Sequence, residues 1–508
     1  MIIDGIKDFF RRLKGLFKRN FYRSVAEIAN SSSVTSEVMM NAIDIWLDMF
    51  SGNAEWLKDN PQSLCLPAII ASEIARSVTV EMEVKISGSQ MADYINTQFD
   101  NVRSDIRSNT EYACAGGGIV FKPYISPDGK NIGTEIIQAN AFFPIAYSNA
   151  QKITAAYFIY RHWDGRKIYS RLEKHELKGT KYIITNKAYV STNDESLGSE
   201  CSLGEVEEWQ NIQPETYLDG VEKPLFSYFK IPIGNTIDFN SPLGVSVYAR
   251  AVGLIRDADL QYQRLMWEYE GGELAIDASK DAFTAVDGVP VLPSGKERLY
   301  RTNNIDPITA GSGELLKAWS PSLRDSNYIA GLNRLLIQIE DACSLARGTL
   351  SDPSQVDKTA TEIISTKQRS YVTVHDIQAS LETALDDLVY AMYCIAILYD
   401  LCPDGSYTTN YVWDDSIIVD AEAERLRDQQ EVAQGLMQAY EYRMKWRGED
   451  EATAKKMVGY TEEKTDDEIL GFGNEGDVDD GEMSDNKKRK DNGKTKSKGS
   501  ENSKEDEE

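Results

Sequence analysis

Six cysteines and three histidines are all that the 508 residues contain, and their placement removes whole classes of chemistry. Cys65, Cys114, Cys201, Cys343, Cys394 and Cys402 form no short C-x-x-C pair, which argues against a zinc ribbon and gives no disulfide framework. A reducing compartment such as a bacterial cytoplasm is the natural setting for such thiols, and Cys343 and Cys394, on apolar helix faces, read as small core residues. His162, His175 and His375 make neither an H-E-x-x-H motif nor a pair at helical spacing, so no metal site is expected. His162 and His175 lie beside Trp163 and Tyr169 in a strand-rich stretch, where packing or a surface role is the default. Gly116-Gly117-Gly118 lacks the Gly-Lys-Ser/Thr ending of a phosphate loop and reads as a turn that lets the chain pass closely from helix to strand. Asp414-Asp415 follows Tyr411-Val412-Trp413 with no partner carboxylates at a convincing spacing, and reads as a strand end. No apolar run approaches the roughly eighteen to twenty residues that span a bilayer. Residues 1–20 lack a continuous apolar segment and a cleavage site, so no secretory signal is expected. Neither a cofactor nor an enzymatic activity is expected.

What is present begins with acid. The net charge is −26, and the stretch from Glu475 to Glu508, with twelve acidic and eight basic residues, accounts for only −4 of it. The acidity therefore belongs to the body. Tight DNA binders neutralise phosphates with Lys and Arg, whereas an acidic surface repels a polyanion and keeps it from sticking. Against that background residues 1–20 are unusual. Ile2, Ile3, Ile6, Phe9, Phe10, Leu13, Leu16 and Phe17 form an apolar stripe opposite Lys7, Arg11, Arg12, Lys14, Lys18 and Arg19. Such a basic amphipathic helix either lies on a membrane surface or docks onto an acidic protein patch, and the acidic body favours the second.

At this length several subdomains are expected, and an apolar content of 41% with 26 tyrosines suffices to build them. Helical period marks residues 46–65 and 90–114, and strand-like stretches follow at 119–124, 153–161, 169–177 and 181–186. Ser241-Pro242-Leu243-Gly244, with Ser246 a second possible cap, predicts a helix start. Val247, Ala251, Leu254, Ile255, Ala258, Tyr262, Leu265 and Met266 then recur at three- and four-residue steps, with Leu260 slightly off that face, up to Gly271-Gly272. Arg250, Arg256, Asp257, Asp259, Gln263 and Arg264 are placed on its wet side. A second helix is predicted over 328–346, with Leu332, Leu335, Leu336, Ile339, Ala342 and Cys343 on one face. Between the two, residues 286–295 and 298–301 read as short strands with turns at Asp287-Gly288 and Pro293-Ser294-Gly295. A piece that small cannot bury a core of its own. A third helical run, 359–401, would be on the order of 60 Å long.

Residues 422–459 form a further helical region with Leu426, Val432, Leu436, Ala439, Tyr440 and Met444 as its seam. Thr461-Glu462-Glu463 caps another short helix through Leu470. Beyond Phe472 the mix of Gly, Asn, Ser, Lys, Asp and Glu is expected to stay disordered, with Lys487-Lys488-Arg489-Lys490 in a solvated tail.

A helix opened by Pro-Leu-Gly, a small α/β insert, a return helix, then Gly348-Thr349-Leu350-Ser351-Asp352-Pro353 leading into Lys358-Thr359-Ala360-Thr361-Glu362-Ile363 resembles the portal proteins of tailed bacteriophages, of the type found in phages of Gram-positive bacteria. The resemblance runs from about residue 20 to 470 and rests on element order plus one short motif. It implies an α+β, portal-like multi-subdomain fold: a basic N-terminal arm (1–24), an α+β wing (25–240), stem helices (241–271 and 324–347) flanking a small α/β clip (272–323), a tunnel loop (348–358), a long wing helix (359–401), a wing end with a helical crown (402–472) and a charged tail (473–508).

The implied function is a homo-oligomeric ring of about twelve subunits at one capsid vertex. It would be the channel for double-stranded DNA during packaging and ejection, without sequence specificity. The implied partners are the terminase large subunit, head–tail adaptors, and the major capsid and scaffolding proteins, with no membrane; the protein would reside in the virion after assembly in the host cytoplasm. On this resemblance Asp352, Ser354, Gln355, Asp357 and Lys358 of the tunnel loop face passing DNA, with Pro353 stiffening the loop and Thr359 capping the helix behind it. Asp287, Lys296, Glu297, Arg298 and Arg301 of the clip meet terminase or adaptor, and Arg256, Asp259 and Arg264 lie on the stem. Two rivals come from other classes: a monomeric scaffold or adaptor that binds through long helices, and an intracellular enzyme with an unrecognised site.

Overall fold

Serine caps open two of the first three long helices. Ser36 accepts a hydrogen bond from the Met39 N–H at the start of α1 (Glu37–Phe50), and Ser89 accepts one from Ala92 at the start of α3 (Gln90–Gly116). Between them, α2 (Leu66–Thr79) begins with proline in its first turn, behind Cys65 in the left-handed conformation. The computed structural model describes residues 35–80, 82–148, 152–193, 196–279, 316–352, 360–413 and 421–459, together with 21–22, 24–25, 27–28, 285–286, 289–290 and 300–303. Residues 1–20 of the basic arm, the Asp414-Asp415 pair, the expected helix at 461–470 and the charged tail lie outside the described residues, while Phe21 and Tyr22 at the end of the arm are buried in the core.

The fold is α+β. Among the described residues, ten strands belong to the first half of the chain: β1 (Met82–Ser87), β2 (Gly118–Ile125), β3 (Ile132–Gln138), β4 (Phe142–Tyr147), β5 (Ile153–Asp164), β6 (Lys167–Lys178), β7 (Lys181–Ser191), β8 (Ser199–Cys201), β9 (Glu215–Asp219) and β10 (Ser227–Lys230). Strands β4-β5-β6-β7-β8 form an antiparallel sheet in that order, with β9 also pairing with β7. A second antiparallel sheet has the order β10-β2-β3. After α4 (Val252–Gly271) come β11 (Ala275–Ser279), β12 (Ala285–Val286), β13 (Val289–Pro290), β14 (Tyr300–Asn303) and β15 (Leu316–Trp319), then α5 (Asp325–Ala342), the 39-residue α6 (Ala360–Leu398) and β16 (Thr408–Trp413), which pairs antiparallel with β1. β11 is central in a three-stranded sheet, parallel to β14 and antiparallel to β15.

One large core joins these parts. Trp46, Phe99, Phe121, Phe142, Phe158 and Phe229 are fully enclosed, and α6 contributes Ile377, Leu381, Leu385, Leu388 and Met392 at three- and four-residue steps. Side-chain hydroxyls fasten α6 to the second sheet: Ser227 donates to the Ala384 carbonyl and Ser380 to that of Lys230. The glycine triplet does what a close crossing requires. Gly117 caps α3 at φ +87, and a Cβ there would meet the Gly244 carbonyl oxygen at 2.5 Å, so no side chain fits.

Three sequence expectations are corrected. Residues 46–65 are not one helix: α1 stops at Phe50, a turn at Ser51–Gly52 and a 3₁₀ turn (Glu55–Leu57) follow, and Pro61, which cannot donate an interior helical bond, stands before α2. The stem helix does not start at Ser241-Pro242. Residues 241–248 run buried and non-helical, with Val247 N–H donating to the Cys114 carbonyl and Gly244 N–H to the Tyr228 hydroxyl, before a 3₁₀ turn (Ala249–Ala251) leads into α4. The third correction concerns a separate unit that begins at Asp420 and holds α7 (Ala421–Gln434), α8 (Ala439–Arg447) and α9 (Glu451–Val458). Its expected apolar seam is not a seam, because Leu426 is 58% and Leu436 76% exposed. Besides Ala454, the residue buried there is Asp428, which accepts from Trp446 Nε1 and Lys445 Nζ, each at 2.8 Å. Polar contacts, to the Asp428 carboxylate and from Arg425 and Gln429 to the Tyr442 hydroxyl, hold α7 to α8 where an apolar stripe was expected.

Candidate functional site

Helices α4 and α5 pack against each other as an antiparallel hairpin, with Ile255, Ala258, Leu265 and Ile339 buried between them and the body. Three buried carboxylates set the geometry of this hairpin and of the loop that follows it.

The first is Asp259. The sequence places it on the wet side of the helix, yet it is 1% exposed. Trp56 Nε1 donates to one of its oxygens at 2.9 Å, while Ser63 Oγ and the Leu64 N–H donate to the other at 3.0 and 2.9 Å. Burial is tolerated because the charge meets three donors. Asp259 is thus a fastener between α4 and the segment before α2. Arg256 and Arg264 are exposed as expected, and Arg256 pairs with Asp257 at 3.1 Å.

The second carboxylate, Glu268, closes the base of the insert. Arg324 donates to it in a fork, Nε to Oε1 at 3.1 Å and Nη2 to Oε2 at 2.7 Å, and adds its backbone N–H. The Arg324 hydrogen bonds hold the Glu268 carboxyl below the ordinary range, and raise the arginine in return. Residues 272–323, which leave α4 and return to α5, are therefore clasped at their root. Of the clip positions, Arg301 lies in β14, paired with Asp277 of β11; Asp287, Lys296, Glu297 and Arg298 lie outside the described residues.

The third, Glu340, is wholly buried near the end of α5. It accepts from the N–H groups of Gly348, Leu350 (2.6 Å) and Ser351 (2.8 Å), and from Ser351 Oγ at 2.9 Å. Two turns earlier on the same helix, Asn333 Oδ1 accepts from the Asp352 N–H at 2.8 Å. The start of the loop is thus knotted onto α5, and Asp352 stands exposed at the point where it leaves. Ser354, Gln355, Asp357 and Lys358 lie outside the described residues, as do Pro353 and Thr359.

Large apolar side chains are exposed around the far end of this hairpin. Trp267 is 68%, Leu274 51%, Ile329 43% and Leu323 42% exposed. Large apolar side chains left this open are of the kind that a second surface covers.

A fourth polar constellation, which motif reading missed, joins the two sheets. Glu173 of β6 receives Lys122 Nζ of β2 at 2.8 Å, Arg171 Nη1 at 2.6 Å and His175 Nε2 at 2.7 Å; the Tyr182 hydroxyl completes it on His175 Nδ1 at 2.7 Å. Burial opposes the Glu173 charge, but the His175 hydrogen bond and the Lys122 and Arg171 cations outweigh it and hold the carboxyl well below the usual range. Burial pulls His175 down, against the hydrogen bond and charge of Glu173, so the ring is neutral, donating from Nε2 and accepting at Nδ1. Every polar group of that histidine is satisfied within the wall of a sheet, which suits a structural role. His162 is half-buried, 3.8 Å from Glu208. Burial raises the Cys343 thiol to about 12, leaving it an inert core residue. Among the described residues no group of His, Cys, Asp and Glu is arranged to hold a metal ion, and no helix is long and apolar enough to cross a membrane.

No protein-family model matches the chain, and no curated protein sequence matches it. Among solved structures, three chains from gene transfer agent (GTA) particles are similar at low scores: one from the virion of a native particle (TM-score 0.40, 9% identity), one from the neck of an empty particle computed with C6 symmetry (0.41, 10%) and one from the neck of a native particle computed with C12 symmetry (0.38, 10%). Each alignment covers 80% of this chain and 92% of the other.

Proposed function

We propose that this chain is the subunit of a portal-type connector, a ring that double-stranded DNA passes through at one vertex of a phage-like particle. The observation that carries the reading is a succession. Two packed helices flank a small β insert clasped at its root by Glu268–Arg324, a loop knotted to the second helix by Glu340 follows, and a 39-residue helix comes next. That is the order of stem, clip, stem, tunnel loop and long wing helix in the family the sequence resembles. The exposed Trp267, Leu274, Leu323 and Ile329 supply apolar surface for a neighbouring copy at the hairpin.

In this reading the protein performs no bond chemistry. Stem hairpins stand side by side around a channel, inserts from neighbours complete one another and present the docking surface for an ATP-driven terminase and later for head–tail adaptors, and Asp352 with the rest of its loop faces the DNA. The acidic body keeps the polyanion from adhering to the wall. Major capsid and scaffolding proteins would hold the wing.

Native mass spectrometry of the purified full chain, with negative-stain imaging of the same sample, tests the reading. Closed rings with a central hole support it. A stable monomer at every concentration, with scaffold and capsid proteins present, overturns it in favour of an adaptor.

A further inference from the structure

A cavity of about 330 Å³ opens between α2, β1 and α3, on elements that the proposed channel does not use. Its floor is apolar: Val84 and Phe99 are buried and Ile106 is packed against the core beside them. Three arginines line it, Arg76 from α2 and Arg103 and Arg107 from α3, the last two one turn apart on the same helix face.

The state of these arginines says what they lack. Arg76 pairs with Glu73 at 2.5 Å. Arg103 lies over the Phe99 ring at 5.7 Å, pairs with Asp100, and gives Nη2 to the Val84 carbonyl and to Asn96 Oδ1, each at 3.0 Å. Its Nε–H is buried and has no acceptor among the described residues. Arg107 is exposed and makes no hydrogen bond or ion pair among them. One whole guanidinium, that of Arg107, is therefore available at the rim of an apolar hole, and a second lies beside it with a buried N–H left unsatisfied, in a chain of net charge −26.

We propose that this cavity binds a protein segment in which an apolar side chain is flanked by carboxylates. The apolar side chain fills the floor over Val84 and Phe99, and a flanking carboxylate takes the fork of Arg107, with the Arg103 cation beside it. A cavity of this volume lies at the small end of ligand sites and suits one large side chain. The acidic body selects against a polyanion such as DNA, whose long-range repulsion is not offset by two or three local cations, whereas a short acidic-apolar peptide gains from burial as well as charge. The assignment does not depend on whether the chain closes into a ring.

The test is fluorescence anisotropy of the full chain at physiological ionic strength, with a fluorescein-labelled peptide carrying Leu-Phe between Asp and Glu residues. Saturable binding is expected, weakened about tenfold or more by Arg107→Glu and equally impaired by Val80→Asp at the half-exposed apolar rim. Both changes lie at exposed positions, and unchanged circular dichroism shows that the fold is kept. A control peptide with Ser in place of Leu-Phe should bind no better than the Arg107→Glu variant binds the parent. Absence of saturable binding overturns the proposal, and so does binding that is indifferent to Arg107→Glu. Displacement of the peptide by a short DNA duplex at similar concentration would replace it with a polyanion site.

Discussion

Phe158 and Trp267 are both large aromatic side chains of one acidic chain, but the first is fully enclosed where two sheets meet and the second is 68% exposed on the hairpin. The wall around Phe158 is complete within a single copy. Phe142 stacks on it at 5.6 Å, Phe226 meets it edge-on, and His175 closes the side. Around Trp267 the apolar surface is open, and the buried groups that organise the hairpin are carboxylates: Asp259, Glu268 and Glu340. The first region closes its apolar packing around a polar cluster satisfied within one copy, whereas in the second directed hydrogen bonds to buried carboxylates fix the segments that leave the helices. A region held by directed bonds keeps its geometry while leaving apolar surface for a partner.

The sharpest test of that contrast is Phe158→Ala. Emptying a closed aromatic site should cost about 3–5 kcal/mol of folding stability, read from denaturant unfolding of the full chain. Glu340→Ala should cost about 3 kcal/mol, because the N–H groups of Gly348, Leu350 and Ser351 lose their acceptor. Amide exchange should quicken at those residues and leave the Phe158 region unchanged.

Acid separates the regions next. Because His175 is depressed by burial, the unfolded chain takes up a proton first as pH falls below about 6.5, and stability declines through the folded value. Glu173 is depressed as well, so its contribution is complete above about 4.3 and is lost as pH falls toward its lower folded value. Urea midpoints between pH 8 and 4 should therefore fall on acidification, and His175→Gln should flatten the upper part of that curve. The smallest effect on folding is expected from Trp267→Glu, within about 0.5 kcal/mol. The same change should abolish ring formation in native mass spectra; intact rings would sever the exposed patch from assembly. Asp352→Lys should leave rings intact and slow DNA passage in a packaging assay.

Much of this contrast was legible in the residues. Periodicity places α3, α6 and most of strands β2, β5, β6 and β7 where they stand, since each element presents its own apolar face at its own spacing. The root and strands of the insert were legible only in part: β14 and the β12–β13 pair lie near the expected strands, while β11 and β15 carry no turn signal that marks them. Asp259 shows why the candidate site was harder. A carboxylate on a helix of mixed polarity reads as solvated, and its partners Trp56, Ser63 and Leu64 lie about two hundred positions earlier in the chain. Local pattern carries no information about such pairs. Residues 241–248 fail for a related reason: Ser-Pro is a sound helix start, but alternating Leu243, Val245 and Val247 are drawn into the core and override it. In the unit after Asp420, the pattern of Leu426, Leu436 and Met444 has the right spacing, yet the polar grip of Asp428 on Trp446 and Lys445 turns those residues outward.

The knot at Glu340 has a mechanical consequence. A strand bolted to a beam at one point pivots under load. Here the chain is bolted twice, at Glu340 and at Asn333, seven residues apart and so about 10 Å along the helix axis. Torque applied at Asp352 is resisted by a couple between the two bolts, and it reaches α5 as bending of a rigid rod. Any push delivered there is carried along the helix toward the clasp of Arg324 and Glu268 at its other end, which makes the hairpin a lever whose two ends cannot be moved independently.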